Sequence, residues 1–409
     1  MKKQYFTLFS FVLLVSFTFL KCSDDIINPT VRELTQLEKQ VVTSSGEFGF
    51  KLFDEISKEE KNNNVFISPL SVSMALGMAL NGAAGSTYEA MKTTLGFNSI
   101  TQQQINESYK SLISLLTQID PKVRFDIANS IWYRRTMNFE QEFVDVNKKY
   151  FNAEVEGLDF DDPNSVDVIN NWVSKSTNDK IKTIIDEIPS TAIMYLINAI
   201  YFKGTWKYEF NKESTRDDIF AGLDDKKISC KMMAQKNKFL YYHDNEIQLI
   251  DLPYGNNNFS MTIILPNYDE NIEQVIGQLN KTKWNNWLNK LNEQEGIIQL
   301  PKFKFELKYL LNKSLEKLGM EIAFTKQADF TKLYKPGNVL ISNVTHKTYV
   351  KVDEEGTEAA AVTSVGFGAT SVGDDNGFIM RVDRPFVFVI REKNSGSILF
   401  IGKVVEPKN

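Results

Sequence analysis

The stretch Val352–Phe378 reads VDEEGTEAAAVTSVGFGATSVGDDNGF. It lies between two apolar, strand-like runs. A connection this long in a compact chain is uncommon, and is usually either functional or without fixed structure. Read at period two from Gly356, residues Thr357, Ala359, Ala361, Thr363, Val365 and Phe367 fall on one face. Glu358, Ala360, Val362, Ser364, Gly366 and Gly368 fall on the other. The first face is uncharged and mostly small, as a buried strand face must be. The second carries the only charge, Glu358. The alanines and glycines lower the β-propensity. The segment is therefore tolerable as a loop and acceptable in a sheet, which suggests two states. A merely flexible Ala/Gly loop is the plainer alternative.

The rest of the chain has ordinary globular composition. Of 409 residues, 42% are hydrophobic and 24% charged, enough apolar surface for a large core. The formal net charge of −5, with no long basic run, argues against nucleic acid as a partner. At the N-terminus, Lys2 and Lys3 precede an apolar run from Tyr5 to Leu20, followed by Cys22. That run is too short for a membrane span and has the order of a targeting segment. It resembles a bacterial lipoprotein signal, which implies cleavage before Cys22 and lipidation of that cysteine. Lys21 departs from the pattern, which has a small residue there. The CSDD that starts at Cys22 is similar to the acidic start of surface-exported lipoproteins. A plain secretory signal is the alternative. The expected organisation is a signal peptide over 1–21, a polar tether over 22–37 and one domain over 38–409. The expected location is a membrane anchor on a bacterial outer membrane or cell surface. With Cys22 lipidated, Cys230 is the only free thiol expected after processing, so no disulfide framework is expected, and Cys230 reads as a small buried hydrophobe.

Helical periodicity dominates the first third, over Thr43–Lys58, Ser68–Ala84, Thr87–Leu95 and Gln102–Gln118. Ser68 and Pro69 supply an N-cap and a first helical position, and the helix they open is apolar nearly all round, hence buried. Strand patterns follow. AIMYLINAIYFKGTW (Ala192–Trp206) is a β-branched and aromatic run suited to a central strand buried on both faces. LPYGNNNFSMTIILP (Leu252–Pro266) reads as two strands joined by a Gly/Asn turn. LPKFKFE (Leu300–Glu306) alternates, and the C-terminal run closes with an Asn-Ser-Gly hairpin. The fold class is α+β with large sheets.

No catalytic constellation emerges. The chain has two histidines, His243 and His346, and lacks a G-x-S-x-G elbow. Two His and one mature Cys make a zinc site improbable, and no H-E-x-x-H or C-x-x-C occurs. GAAGST (Gly82–Thr87) has no phosphate-loop Lys and follows no strand. Asp159, Asp161 and Asp162 read as a solvated turn, with a weak calcium site as the alternative. The reading is a non-enzyme with no cofactor and no metal.

Several motifs together carry a resemblance. VDEEGTEAAA (Val352–Ala361), NVFISPLSVSMALGMALNGAAGSTYEAM (Asn64–Met91), LINAIYFKGTW (Leu196–Trp206), the two LP-containing runs and DRPFVFVIREKNSGSILFIGKV (Asp383–Val404) occur in the order found in serpins. The chain resembles that serine-protease-inhibitor superfamily from Glu38 to Pro407. The resemblance implies a single domain of three β-sheets and about nine helices, with an exposed reactive-centre loop over about 354–378. It implies a suicide substrate: a target protease forms an acyl-enzyme with the loop, the loop inserts as a strand, and deacylation stalls. The hinge would comprise Glu354, Glu355, Gly356, Thr357, Glu358, Ala359, Ala360 and Ala361. Ser68, Ser71, Asn198 and His346 match the serpin shutter beneath the sheet's centre. Trp206, Lys302 and Glu354 match the breach, where Lys302 and Glu354 should form an ion pair.

Counting Glu354 as the first residue, the seventeenth is Thr370, so the resemblance implies cleavage at Thr370–Ser371. Gly373–Gly377 reads as an extra turn beyond the length of many serpins, which leaves cleavage after Ala369, Ser371 or Phe367 as nearby alternatives. No basic residue is close, so a trypsin-like target is disfavoured. Small residues before the bond suit elastase-like or subtilisin-like serine proteases, or cysteine proteases with a tolerant pocket. The partner expected is thus a protease held covalently by a monomer. A charge at Thr357 or Ala359 would have to be buried unpaired, so their being Thr and Ala favours an inhibitor. The alternative is a non-inhibitory relative serving as a binding or structural surface module.

Overall fold

The computed structural model describes residues 32–357 and 377–408, without the side chain of Asp225. Cys22, Glu358, Ala359, Ala360, Ala361, Phe367, Ala369, Thr370 and Ser371 lie outside the described residues. The first half runs α1 (Gln36–Glu59), β1 (Val65–Ile67), α2 (Pro69–Leu80), α3 (Gly85–Thr94), α4 (Gln102–Gln118), β2 (Val123–Arg134), α5 (Gln141–Phe151), β3 (Glu154–Leu158), α6 (Asn164–Ser176) and β4 (Met194–Thr205). Then come β5 (Arg216–Ala221), β6 (Lys227–His243), β7 (Ile247–Tyr254), β8 (Phe259–Pro266), α7 (Ile272–Gln278), α8 (Lys281–Lys290), β9 (Asn292–Pro301), β10 (Phe303–Leu310) and α9 (Asn312–Leu315). The chain closes with β11 (Asn343–Val352), β12 (Gly356–Thr357), β13 (Phe378–Arg381), β14 (Phe386–Glu392) and β15 (Ile398–Val404).

The α+β class and its nine α-helices stand, counted among the described residues. Hydrogen bonding joins the described strands into two sheets where three were expected. The larger has nine strands, in the order β1-β15-β14-β8-β7-β6-β9-β13 with β5 on β6. The smaller has six, in the order β10-β11-β12-β4-β2-β3. The third sheet is continuous with the larger one because β6 is long: its first residues pair β5, its last pair β7, and β9 runs along most of it. LPKFKFE serves both sheets, since β9 ends at Pro301 in the larger and β10 starts at Phe303 in the smaller.

α1 starts at Gln36, seven residues before the periodic run suggested. Thr35 accepts from the Glu38 amide, and the Glu38 carboxylate accepts from the Thr35 amide, a reciprocal capping box. Arg32 pairs with the same carboxylate, which is buried and held down at about 2. Burial opposes that ionisation, and the bonds from Arg32, Ser111 and Thr35 outweigh it. Gln36 and Leu37, the end of the expected tether, thus lie in the first helical turn. α2 opens with Ser68 as N-cap and Pro69 at its start, and all its residues are buried. It lies so close to α1 that a Cβ on Gly49 would come within 2.4 Å of the Pro69 ring.

The core has two layers, and β4 separates them. Met194, Leu196, Ile200 and Phe202 face the large cluster between the sheets. Tyr195, Ile197 and Ala199 face a second cluster with Trp132, Ile169 and Val173 beneath α6. Strict alternation makes this strand apolar on both faces, which is why its sequence shows no polar face. Near the end of α1, Lys403 is fully buried and donates to the carbonyls of Glu60 and Lys61 and to Glu273. A cation there suits the negative end of the helix, where carbonyl oxygens gather.

Candidate functional site

The smaller sheet contains a slot. β11 pairs β4 directly, in parallel, only where Asn343–His346 meets Tyr195–Asn198. Beyond those residues the two strands continue without pairing each other, while β10 holds the far edge of β11 and β2 the far edge of β4. At the open end β12 lies between them, antiparallel to both. Thr357 pairs Val352 on one side and Gly204 on the other, and Gly356 pairs Thr205. The slot is therefore one strand wide, floored by the parallel ladder and already occupied at its mouth by Gly356 and Thr357.

The mouth is built on a tight turn. Asp353 and Gly356 exchange backbone hydrogen bonds of 3.0 and 3.3 Å, so Glu354 and Glu355 form the tip of a hairpin between β11 and β12. The tip is tied down from outside the sheet. The amides of Trp206 and Phe210 donate to the carbonyls of Glu355 and Glu354, both at 2.9 Å. The Trp206 indole donates to the Asp353 carbonyl at 2.9 Å. Lys302 pairs with Glu354 at 2.7 Å, and Thr215 donates to the other carboxylate oxygen at 2.8 Å. Lys212 pairs with Glu355, and Lys351 with Asp353 at 2.7 Å. Burial works against the charge on Glu354, but the bonds from Lys302 and Thr215 prevail and hold its carboxyl below the usual range. Trp206, Lys302 and Glu354, singled out from the sequence, thus meet at one place, and the expected ion pair is present.

Gly356 is the steric key. Its φ is +152°, a conformation that L side chains rarely adopt, and a Cβ would stand 2.1 Å from the Gly204 carbonyl oxygen. Thr357 follows, 3% exposed, facing the core between the sheets. Its hydroxyl lies 2.6 Å from that of Tyr254, a residue of β7 in the other sheet. Tyr254 stacks on Trp206 with ring centroids 4.4 Å apart and an interplanar angle of 11°.

The floor is polar. The buried Ser68 amide donates to Nε2 of His346 at 3.0 Å, and the Ser68 hydroxyl donates to the Leu399 carbonyl at 2.6 Å. The Ser71 amide donates to the Ser68 hydroxyl at 3.4 Å, as the N-cap of α2. An imidazole that accepts from an amide is neutral at that nitrogen, and burial pushes the His346 pKa down to about 3. In the ladder His346 lies between Tyr309 of β10 and Asn198 of β4, and Asn198 lies opposite Asn129 of β2. The Asn198 amide donates to Asn129 at 2.5 Å. All four residues expected beneath the sheet's centre therefore converge where the parallel ladder ends.

Sequence reasoning missed Tyr254, Thr215, Asn129 and Tyr309. Asn129 had a faint signal, a polar residue inside an apolar strand. The others had none, because what recruits them is contact with distant strands. Elsewhere, Cys230 is buried, and its thiol is pushed up to about 11 by burial and the charge of Asp218. Of the acidic trio, Asp161 pairs with Arg134 at 2.7 Å, while Asp159 and Asp162 accept from nearby amides in a turn. No cluster of three or more metal-ligating side chains occurs among the described residues.

Comparison with known proteins agrees with this architecture. A family model described as Serpin (serine protease inhibitor) matches residues 43–407. Human Serpin B3 is 34% identical over 383 residues, covering 88% of this chain and 97% of its own. Human leukocyte elastase inhibitor is 32% identical over 383 residues, covering 90% of this chain and all of its own (100%). Among solved structures, the thermophilic serpin tengpin in its native state superposes with a TM-score of 0.84 at 32% identity, covering 92% and 95% of the two chains. Human thyroxine-binding globulin, complexed with thyroxine, gives 0.83 at 28% identity, covering 91% and 100%. Serpins as a family are protease inhibitors and not catalytic enzymes, though the globulin shows that the fold also carries ligands. With a match over nearly all of the chain that follows the N-terminal segment, this chain belongs to the serpin family.

Proposed function

We propose that the chain inhibits proteases as a suicide substrate whose loop inserts into the slot of the smaller sheet. The observation that carries this is Thr357, an uncharged residue already seated between β11 and β4. Extending its register would place Ala359 between Val350 and Phe202, and Ala361 between Thr348 and Ile200. Thr363 would then reach His346 and Asn198, where insertion must part the parallel ladder. The small, uncharged face read from the sequence is the face that this register would turn into the core. Each ladder hydrogen bond is worth roughly 0.5–1.5 kcal/mol net, so about a dozen could outweigh the ordering of the loop.

The chemistry belongs to the target. Its nucleophile attacks the Thr370 carbonyl carbon, and the Ser371 nitrogen takes up a proton and leaves as a new N-terminus. The bond from Thr370 to the protease remains, and insertion moves it before water can cleave it. The small residues near this bond suit elastase-like or subtilisin-like proteases, or tolerant cysteine proteases. Similarity to a protein named leukocyte elastase inhibitor supports the first class. The expected species is a monomer, exported and anchored through a lipid on Cys22 to a bacterial outer membrane or cell surface. Similarity to thyroxine-binding globulin favours a second reading, a non-inhibitory carrier.

Three experiments test this account. Incubation with pancreatic elastase, subtilisin, trypsin and papain should give a denaturant-resistant complex with at least one of them and a released peptide starting within a residue or two of Ser371. Thr357→Arg should convert inhibitor to substrate, because a guanidinium would have to be buried unpaired. Cleavage without complex for every protease would sink the inhibitor reading. For the anchor, metabolic labelling with palmitate should mark the protein, and Cys22→Ala should abolish the label; unlabelled wild type would contradict it.

The third experiment concerns pH. Unfolded His346 takes up its proton near the ordinary value of about 6.5. In the folded state it does so only near 3. The unfolded state therefore binds more protons between these values, so stability falls as pH drops from about 6.5 toward 3, by at most about 1.4 kcal/mol per pH unit. Thermal midpoints between pH 7 and 5 should fall more steeply for wild type than for His346→Asn. Parallel profiles would contradict a neutral, buried His346.

A further inference from the structure

Tyr254 belongs to neither the hinge nor the floor, yet its hydroxyl touches the first seated residue of the loop. It projects from the end of β7 in the larger sheet, and is fully buried. Its ring is fixed on three sides: stacked on Trp206, edge-on to Phe202 at 5.2 Å, and within 3.0 Å of where a Cβ on Gly204 would sit. An isolated bridge between Trp206 and Tyr254, and a bond from the Gly255 amide to the Thr205 carbonyl at 2.9 Å, lock the two sheets together at this point. The ring cannot swing away, so the hydroxyl stays aimed at the mouth of the slot.

We propose that Tyr254 is a positioning residue, whose hydrogen bond to Thr357 holds the loop's first residue in the slot before any protease acts. With Thr357 seated, both hydroxyls are paired, at 2.6 Å. With Thr357 withdrawn, the Tyr254 hydroxyl loses that partner in a buried place, and an unpaired buried hydroxyl is costly. Once the loop has inserted fully, Thr357 keeps its place and the bond is retained. The bond therefore favours the seated and the inserted arrangements over the withdrawn one. Lys302 and Thr215 hold the turn through Glu354 on the outside; Tyr254 holds the strand from within.

The consequence for inhibition rests on the inhibitor reading above, whereas the position of Thr357 does not. The test uses the intact, uncleaved protein and two variants, Tyr254→Phe and Thr357→Val, with their double variant. Hydrogen–deuterium exchange is followed in peptides covering 204–211 and 350–357, which contain the Trp206, Phe210 and Gly356 amides bonded to hinge carbonyls. Each single variant should quicken exchange there about three- to tenfold, the worth of one such hydrogen bond. The double variant should be no faster than a single one, because both remove the same bond. Unchanged exchange, or effects that multiply, would overturn the proposal. So would an equal quickening of a peptide over 164–176 in α6, which would mark a loss of global stability alone. With subtilisin, both single variants should consume more inhibitor per protease trapped. If exchange behaves as described but no protease is ever trapped, the inhibitor reading fails and the latch stands.

Discussion

The structure depends on two neighbouring strands, β11 and β4, that part along most of their length. β11 and β4 pair over only four rungs, from Asn343–Tyr195 to His346–Asn198, and then run on unpaired with each other, with β12 alone between them among the described residues. Backbone donors and acceptors along such a gap invite an added strand, because ladder bonds are the main way buried peptide groups are satisfied. The requirements at the mouth follow. The residue that crosses into the slot must have no Cβ, and it is Gly356. The next must be small and uncharged, and it is Thr357. The turn before them must not drift, and it is tied by Trp206, Phe210, Lys302, Thr215 and Lys212.

The floor has the opposite task. An apolar seam there would be good packing in one arrangement only. A polar one, built from Ser68, His346, Asn198 and Asn129, could exchange partners if the ladder parted as the proposed mechanism requires. Its cost is real, since Ser71 Oγ and Asn198 Oδ1 are buried without a hydrogen-bond partner among the described residues. Polar groups left short of partners lie at the point where the proposed mechanism would separate two strands, and this ties that mechanism to the packing.

Parts of this were legible in the sequence for physical reasons. The both-sided burial of β4 follows from a run with no polar face, and the start of α2 from Ser68 and Pro69. Residues that reach the slot through local spacing, such as Gly356 and Thr357, could be read from period and size. The assembly of Glu354, Lys302 and Trp206, far apart in the chain, came only through family resemblance. Tyr254 was invisible because its role depends on two sheets meeting, and no local pattern encodes that. The capping box at Thr35 and Glu38 was readable yet hidden by a polar stretch that looked like tether. The join of two expected sheets into one depended on the reach of β6, whose polar and apolar residues alternate too weakly to mark its length.

The central claim is that the slot is waiting for the loop. On the proposed mechanism, cutting the loop would free its N-terminal part to enter without any protease attached. Differential scanning calorimetry on the intact protein, and on the protein nicked near Thr370 by catalytic papain, tests this most directly. The account predicts that the nicked protein melts far higher than the intact one, because about a dozen ladder hydrogen bonds and the small face of the loop are gained on insertion. An unchanged or lower melting temperature after a verified cut would contradict it.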